Sequence, residues 1–162
     1  MDTLIACVSL LVSIIALAIS VRFWQQSFRP IVTAAVKTHS GGSEAIHYSL
    51  VLMNSGAIPA KNVVLRANQR SLHGALGDEA TEENRRRWLA CFSDRAAVAV
   101  LQNGDRASCS FGVTKRNNAG FWKYKSVIKI SIEYEGWFGR KYSEPQELLI
   151  ADSDSFTGFS WG

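Results

Sequence analysis

His39, His47 and His73 are the side chains best able to hold a metal or move a proton, and their setting argues against both. They fall in an expected turn, strand and loop, with no carboxylate or cysteine at metal-ligand spacing. No glycine-rich phosphate loop, nucleophile elbow or pair of carboxylates for acid–base work is present. Asp78, Glu79, Glu82 and Glu83 are clustered, but a helix N-terminus attracts acidic residues without any catalysis. The chain therefore reads as a non-enzyme with no metal and no cofactor.

Two basic groups could bind rather than catalyse. Arg85-Arg86-Arg87-Trp88 on a helix spreads its guanidinium groups over about 200° of the surface. At least one of them could meet phosphate or a partner's carboxylate, so Arg85, Arg86, Arg87 and Trp88 are the candidate partner-binding residues. In the second group, Lys115 and Arg116 precede Phe121-Trp122-Lys123-Tyr124-Lys125. Rings alternating with lysines could stack bases or sit among lipid headgroups. The plainer expectation is rings in a core and lysines in water. Cys91 and Cys109 could form a disulfide in an exported domain, or be two small buried residues in a reducing one.

These residues need elements to position them, and the chain begins with a different kind of element. Leu4–Val21 is an 18-residue apolar stretch with no charge and no proline, about 27 Å long as a helix and close to the thickness of a bilayer core. Arg22, Phe23 and Trp24 follow at once, suited to snorkelling and to an interfacial aromatic belt. Residues 1–24 therefore read as a transmembrane anchor, 25–30 as a juxtamembrane linker ended by Pro30, 31–150 as the main domain and 151–162 as a flexible tail. A secretory signal is the rival reading, but Met1-Asp2-Thr3 carries no positive charge before the apolar run. Arg22, Arg29 and Lys37 lie on the far side, which places the N-terminus outside and the domain in the cytoplasm. Within the anchor, Ala6, Ser9, Ser13, Ala16 and Ser20 form a stripe of small residues suited to close helix–helix approach.

All eighteen Lys and Arg residues lie beyond the apolar stretch Leu4–Val21 against thirteen acidic ones, leaving that part at +5. Such a domain is drawn toward an anionic membrane surface, which makes anionic lipid a candidate partner; nucleic acid is not an expected one.

After Pro30 the pattern changes to strands. Ile31–Lys37 and Ile46–Asn54 read as a hairpin across Gly41-Gly42, with Tyr48, Leu50 and Leu52 on one face. Further strands are expected at 63–67, 97–101, 107–113, 125–135 and 140–149, the last broken by Pro145. Residues 69–78 read as irregular, and one helix runs from Asp78 or Thr81 to about Phe92. Cys109 and Phe111 should share a face. About seven short strands without repeated crossover helices give a mainly β fold, a β-sandwich with one inserted helix. The tail carries Phe156, Phe159 and Trp161.

Three motifs carry a resemblance. They are Asn54-x-Gly56-x-x-Pro59-Ala60-x-Asn62-Val63, Leu101-x-x-Gly104, and Ile132-x-Tyr134 followed by Gly139-Arg140-x-Tyr142. Over residues 1–150 the chain resembles small bacterial proteins with one N-terminal membrane helix and an immunoglobulin-like β-sandwich. The resemblance implies a single-pass inner-membrane protein and no catalytic residues. Gly56 and Pro59 are expected to shape a turn, and Asn62 to bond local backbone.

The expected function is a membrane-anchored protein-interaction module, an accessory subunit at the cytoplasmic face. The alternative is a ligand-responsive membrane effector of a defence or stress system, assembling through the small-residue stripe.

Overall fold

The computed structural model describes residues 2–153, so the aromatic tail at 156–161 lies outside the described residues. The chain opens with α1 (Asp2–Ser27), which takes in three residues of the expected linker before Pro30 forces extended backbone. Its large apolar side chains, Leu4 through Trp24, all face outward. The stretch Thr3–Ser27 is long and apolar enough to cross a membrane, and none of it is buried in the protein.

Seven strands follow: β1 (Val32–Gly41), β2 (Ala45–Asn54), β3 (Ala60–Ala67), β4 (Val98–Leu101), β5 (Arg106–Lys115), β6 (Val127–Glu135) and β7 (Lys141–Leu149). They form two antiparallel sheets, β1-β2-β5 and β4-β3-β6-β7. Alternation decides what lies between them. Ile46, Tyr48, Leu50 and Leu52 of β2 join Ile128, Ile130, Ile132 and Tyr134 of β6 in one buried core, as a period of two requires of half-buried strands. Phe121 and Trp122 are completely buried in it, with Trp122 Nε1 donating to the Phe111 carbonyl. The lysines beside them stay exposed, so the second basic group is core and solvated surface.

Several elements depart from the sequence reading. Residues 69–75 are not irregular but form α2 (Gln69–Ala75), capped by the Asn68 side chain accepting from Ser71 N. Leu72, Ala75 and Leu76 turn inward from it at helical spacing. His73 therefore sits on a helix, and His39 within β1 rather than in a turn. Pro145 does not break β7; it pairs with Ser131 in an edge strand, where a missing N–H can point away from the ladder. Asn62 adopts a left-handed conformation at φ 51°, and its side chain donates to Glu135 Oε2 at 3.2 Å rather than to local backbone.

Candidate functional site

The insertion between β3 and β4 carries the arginines. Its helix, α3 (Glu82–Trp88), starts at Thr81, whose Oγ1 accepts from Asn84 N at 3.3 Å. Glu82 and Glu83 occupy the first turn, where carboxylates complement the exposed N–H groups. Glu79 ion-pairs with Lys115 at the end of β5, and Arg66 of β3 reaches Asp94 at 2.5 Å. The insertion is thus pinned to both sheets.

The four residues singled out from sequence divide between two environments. Trp88 points inward and meets Phe121 edge-on at 4.8 Å. Arg87 lies over the Trp88 ring at 6.0 Å. Arg85 pairs with Glu82 at 3.6 Å. Arg86 and Arg87 are both exposed, and neither is in an ion pair among the described residues. The exposed guanidinium groups of the helix are therefore those of Arg86 and Arg87, while Trp88 is an anchor of the fold.

Beneath the insertion is a cavity of about 310 Å³, open at the edge where β4 and β5 approach. Leu50, Leu52, Val63, Leu65 and Val98 form its apolar walls, and Arg87 stands at its lining. Its size falls at the lower end of small-ligand pockets. Cys91, in the helical turn after α3, and Cys109 of β5 both line it. Cys109 stands opposite Leu50 in the ladder, so it shares the inward face with Phe111, but it opens onto the cavity whereas Phe111 is fully buried. Sequence reasoning missed this cavity because β5 carries a register shift opposite Tyr48, with Gly112 at φ 83°. A bulge of that kind changes where inward side chains land.

A second feature is the junction between α1 and the sheets, where all three sequence motifs meet. Asn54 is completely buried. Its Oδ1 accepts from Ile31 N at 3.2 Å and Gly56 N at 3.0 Å. Its Nδ2 donates to the carbonyls of Ile58 at 2.8 Å and Leu101 at 3.1 Å. Gly104 N donates to the Asn54 carbonyl. Tyr134 donates its hydroxyl to the Pro30 carbonyl at 3.2 Å and stacks on Tyr142 at 5.3 Å. Gly56 lets the chain pass so close that a Cβ there would sit 2.4 Å from the Arg29 carbonyl and from Ile31 N. On the helix side, Trp24 meets Trp137 at 5.3 Å and Phe28 at 5.6 Å. Beside these rings Gln25, Gln26, Arg29, Arg140 and Tyr142 line an open, polar depression.

The small residues Ser9, Ser13 and Ser20 donate their hydroxyls to carbonyls four residues back in α1, which satisfies them without a neighbour. Together with Ala6 and Ala16 they lie on the exposed surface of the helix. Among the described residues, no group of three or more His, Cys, Asp or Glu side chains could hold a metal ion.

A family model described as Domain of unknown function (DUF8453) matches residues 3–154. No curated protein and no solved structure matches. The matched span takes in the apolar helix, both sheets and the insertion, and the chain is therefore a member of the DUF8453 family.

Proposed function

We propose that the chain is a membrane-anchored protein-interaction module in which α1 spans the bilayer and the β domain, an immunoglobulin-like sandwich, stands at its cytoplasmic face. The observation that carries this reading is the junction. The chain leaving the outward-facing apolar helix is held to the sheets by Asn54 Oδ1 on Ile31 N and by Tyr134 on Pro30, and the helix itself by Trp24 on Trp137. A passive tether needs none of that. A splice of this kind supports a domain presented in a defined orientation to neighbouring proteins, at the high local concentration that shared membranes provide. The family span supports an anchor over a removable leader, since it includes the helix. The three-plus-four strand arrangement supports the immunoglobulin-like assignment.

The partner would meet Arg86 and Arg87, and an acidic surface is the chemistry they fit. Arg29 and Arg140 beside the aromatic cluster suit anionic headgroups at the same membrane face. A ligand-responsive effector is the second reading, favoured by the cavity under the insertion.

The test uses the full chain in its native membrane. The wild type should resist alkaline extraction. Leu11→Arg with Ile14→Arg should release it, since each charge costs about 3 kcal/mol at the centre of a span. External protease should spare the domain in intact cells with the outer membrane removed, and digest it in inverted vesicles. Detergent extracts should contain a stoichiometric partner that Arg86→Glu with Arg87→Glu loses. Extraction of the wild type by alkali overturns the anchor, digestion in intact cells overturns the orientation, and recovery of a homo-oligomer alone moves the effector to first place.

A further inference from the structure

The chain keeps two thiols at one place that nothing in the reading above uses. Cys91 lies in the helical turn Ala90–Phe92 and Cys109 in β5, eighteen positions apart in sequence. Both line the same cavity. None of the described cysteines is joined in a disulfide. Cys7, on the exposed surface of α1, does not share the cavity.

The two sulfurs are not equivalent. Cys109 is exposed at the cavity, while Cys91 is half-buried within the insertion. The Cys91 thiol donates to the Trp88 carbonyl at 3.5 Å, and the Cys109 thiol lines the same cavity. As Cys109 ionises, its charge makes it the better acceptor, and the Cys91 S–H turns to it. That hydrogen bond brings the Cys109 thiol down to about 7 against the opposing effect of burial, while hydrogen bonding to Cys109 and then burial push the Cys91 thiol up. An accessible thiolate backed by a protonated thiol is the division of labour that disulfide exchange needs.

We propose that Cys109 and Cys91 form a thiol–disulfide exchange site, with Cys109 as the attacking thiolate, Cys91 as the resolving thiol, and a small organic disulfide admitted by the cavity as the oxidant. In the first step the Cys109 thiolate attacks one sulfur of the disulfide. A Cys109–S–S–R bond forms, the original S–S bond breaks, and RS⁻ leaves. Capping removes the negative charge that held the Cys91 proton in place, so Cys91 can ionise. In the second step its sulfur attacks Cys109 Sγ. The Cys91–Cys109 bond forms, and the second RS⁻ leaves with the Cys91 proton as RSH. Two protein thiols are oxidised and one small disulfide is reduced to two thiols. The product ties the insertion that carries Arg86 and Arg87 to β5, and it does so whether or not α1 crosses a membrane.

The rate advantage is modest by this chemistry. The lowered Cys109 thiol holds more thiolate at pH 7 than an ordinary thiol does. Lower nucleophilicity at lower pKa returns part of that gain. The pH profile and the fate of the adduct therefore discriminate better than the rate. The experiment treats the full-length protein in detergent with 2-hydroxyethyl disulfide and follows each cysteine by mass spectrometry.

The wild type should lose two hydrogens as an internal Cys91–Cys109 disulfide, with a rate that levels off above pH of about 7 rather than of about 8.5. Cys91→Ser should stop at a stable hydroxyethyl adduct on Cys109, and Cys109→Ser should react at Cys91 at least roughly tenfold more slowly. Competitive alkylation of the unsubstituted protein, which needs no variant to fold, should label Cys109 before Cys91. Equal labelling of the two, a rate profile that rises through 8.5, or an adduct on Cys109 that Cys91 never resolves overturns the proposal.

Discussion

The Gln146 side-chain amide in β7 pairs with both backbone groups of Ala34 in β1: Gln146 Oε1 accepts from Ala34 N at 3.0 Å and Gln146 Nε2 donates to the Ala34 carbonyl. β1 and β7 are edge strands of different sheets, and one amide here stands in for the missing neighbouring strand. Thr38 extends the same seam, with its hydroxyl donating to Asp152 and its backbone N–H to Ser153 Oγ. One side of the two-sheet stack is thereby closed to further strand pairing. The opposite side, between β4 and β5, has no such seam and holds the cavity covered by the insertion.

Gln146→Ala should leave a buried N–H and C=O of Ala34 without partners and lower stability by about 1–3 kcal/mol. Urea denaturation should show a lower midpoint at an unchanged slope. Gln146→Glu should behave almost as badly, because it keeps the acceptor but sets a carboxylate against the Ala34 carbonyl. A midpoint equal to wild type for both would mean that water replaces the amide.

Gly56→Ala and Gly74→Ala make a matched pair. A Cβ at Gly56 would meet the Arg29 carbonyl and Ile31 N at 2.4 Å, whereas at Gly74 within α2 nothing lies within 4 Å. The first should destabilise by roughly 2 kcal/mol or more and expose residues 28–31 to protease. The second should be neutral or stabilising by up to about 1 kcal/mol through helix propensity. Comparable thermal shifts in both would remove the close approach at residues 29–31 as the reason for glycine at 56.

Asn54→Ala removes four hydrogen bonds from a fully buried site. The expected loss is about 3 kcal/mol or more, because buried backbone partners are stranded. Asn54→Asp should also fail, since its oxygen would face the Ile58 and Leu101 carbonyls that now receive N–H donors. Hydrogen exchange should locate the loosening at residues 29–31 and 101–105 rather than across both sheets.

High pH should unfold the domain through two tyrosines. Burial first, with Glu144 adding to it for Tyr134, pushes the Tyr48 and Tyr134 hydroxyls up to about 12; the Thr114 hydrogen bond opposes part of the effect at Tyr48. The unfolded chain ionises near 10 while the folded one keeps its protons. The stabilisation is therefore complete below pH 10 and is lost as pH rises toward 12. Denaturation midpoints taken from pH 9 to 12 should fall steeply, and Tyr48→Phe with Tyr134→Phe should flatten the fall. An unchanged slope in that double variant would assign alkaline unfolding to other groups.

Arg140→Gln should weaken retention of anionic lipid without unfolding the chain, since Arg140 stacks on Tyr142 at 5.6 Å from an exposed position. About 1 kcal/mol is expected for one arginine at a charged surface, or roughly fivefold in lipid occupancy. Native mass spectrometry from mixed detergent–phosphatidylglycerol micelles would read this directly. Equal occupancy would leave the depression without a role in lipid contact.

The sequence by itself determined what depends on short-range pattern. Eighteen uncharged residues specified an apolar helix, Pro30 its end, and the alternation in 46–54 and 128–134 two strands with known inward faces. Of the two helix starts the sequence allows, Asp78 and Thr81, the structure takes Thr81 as the cap of α3. These are properties of helix and strand periods and of local capping, which act within a few residues. Short elements escaped this reading: α2 is seven residues long, too brief for a period to stand out, and β7 keeps Pro145 only because it lies at an edge. The site was legible as residue types and not as an arrangement. That Asn54, Pro30, Leu101, Gly104, Tyr134 and Tyr142 converge on one junction, and that Cys91 meets Cys109 in a cavity, depends on packing two sheets and one insertion together. Such contacts join residues tens of positions apart, and only the tertiary structure decides them, because burial and hydrogen-bond satisfaction select one register from many that the local pattern allows.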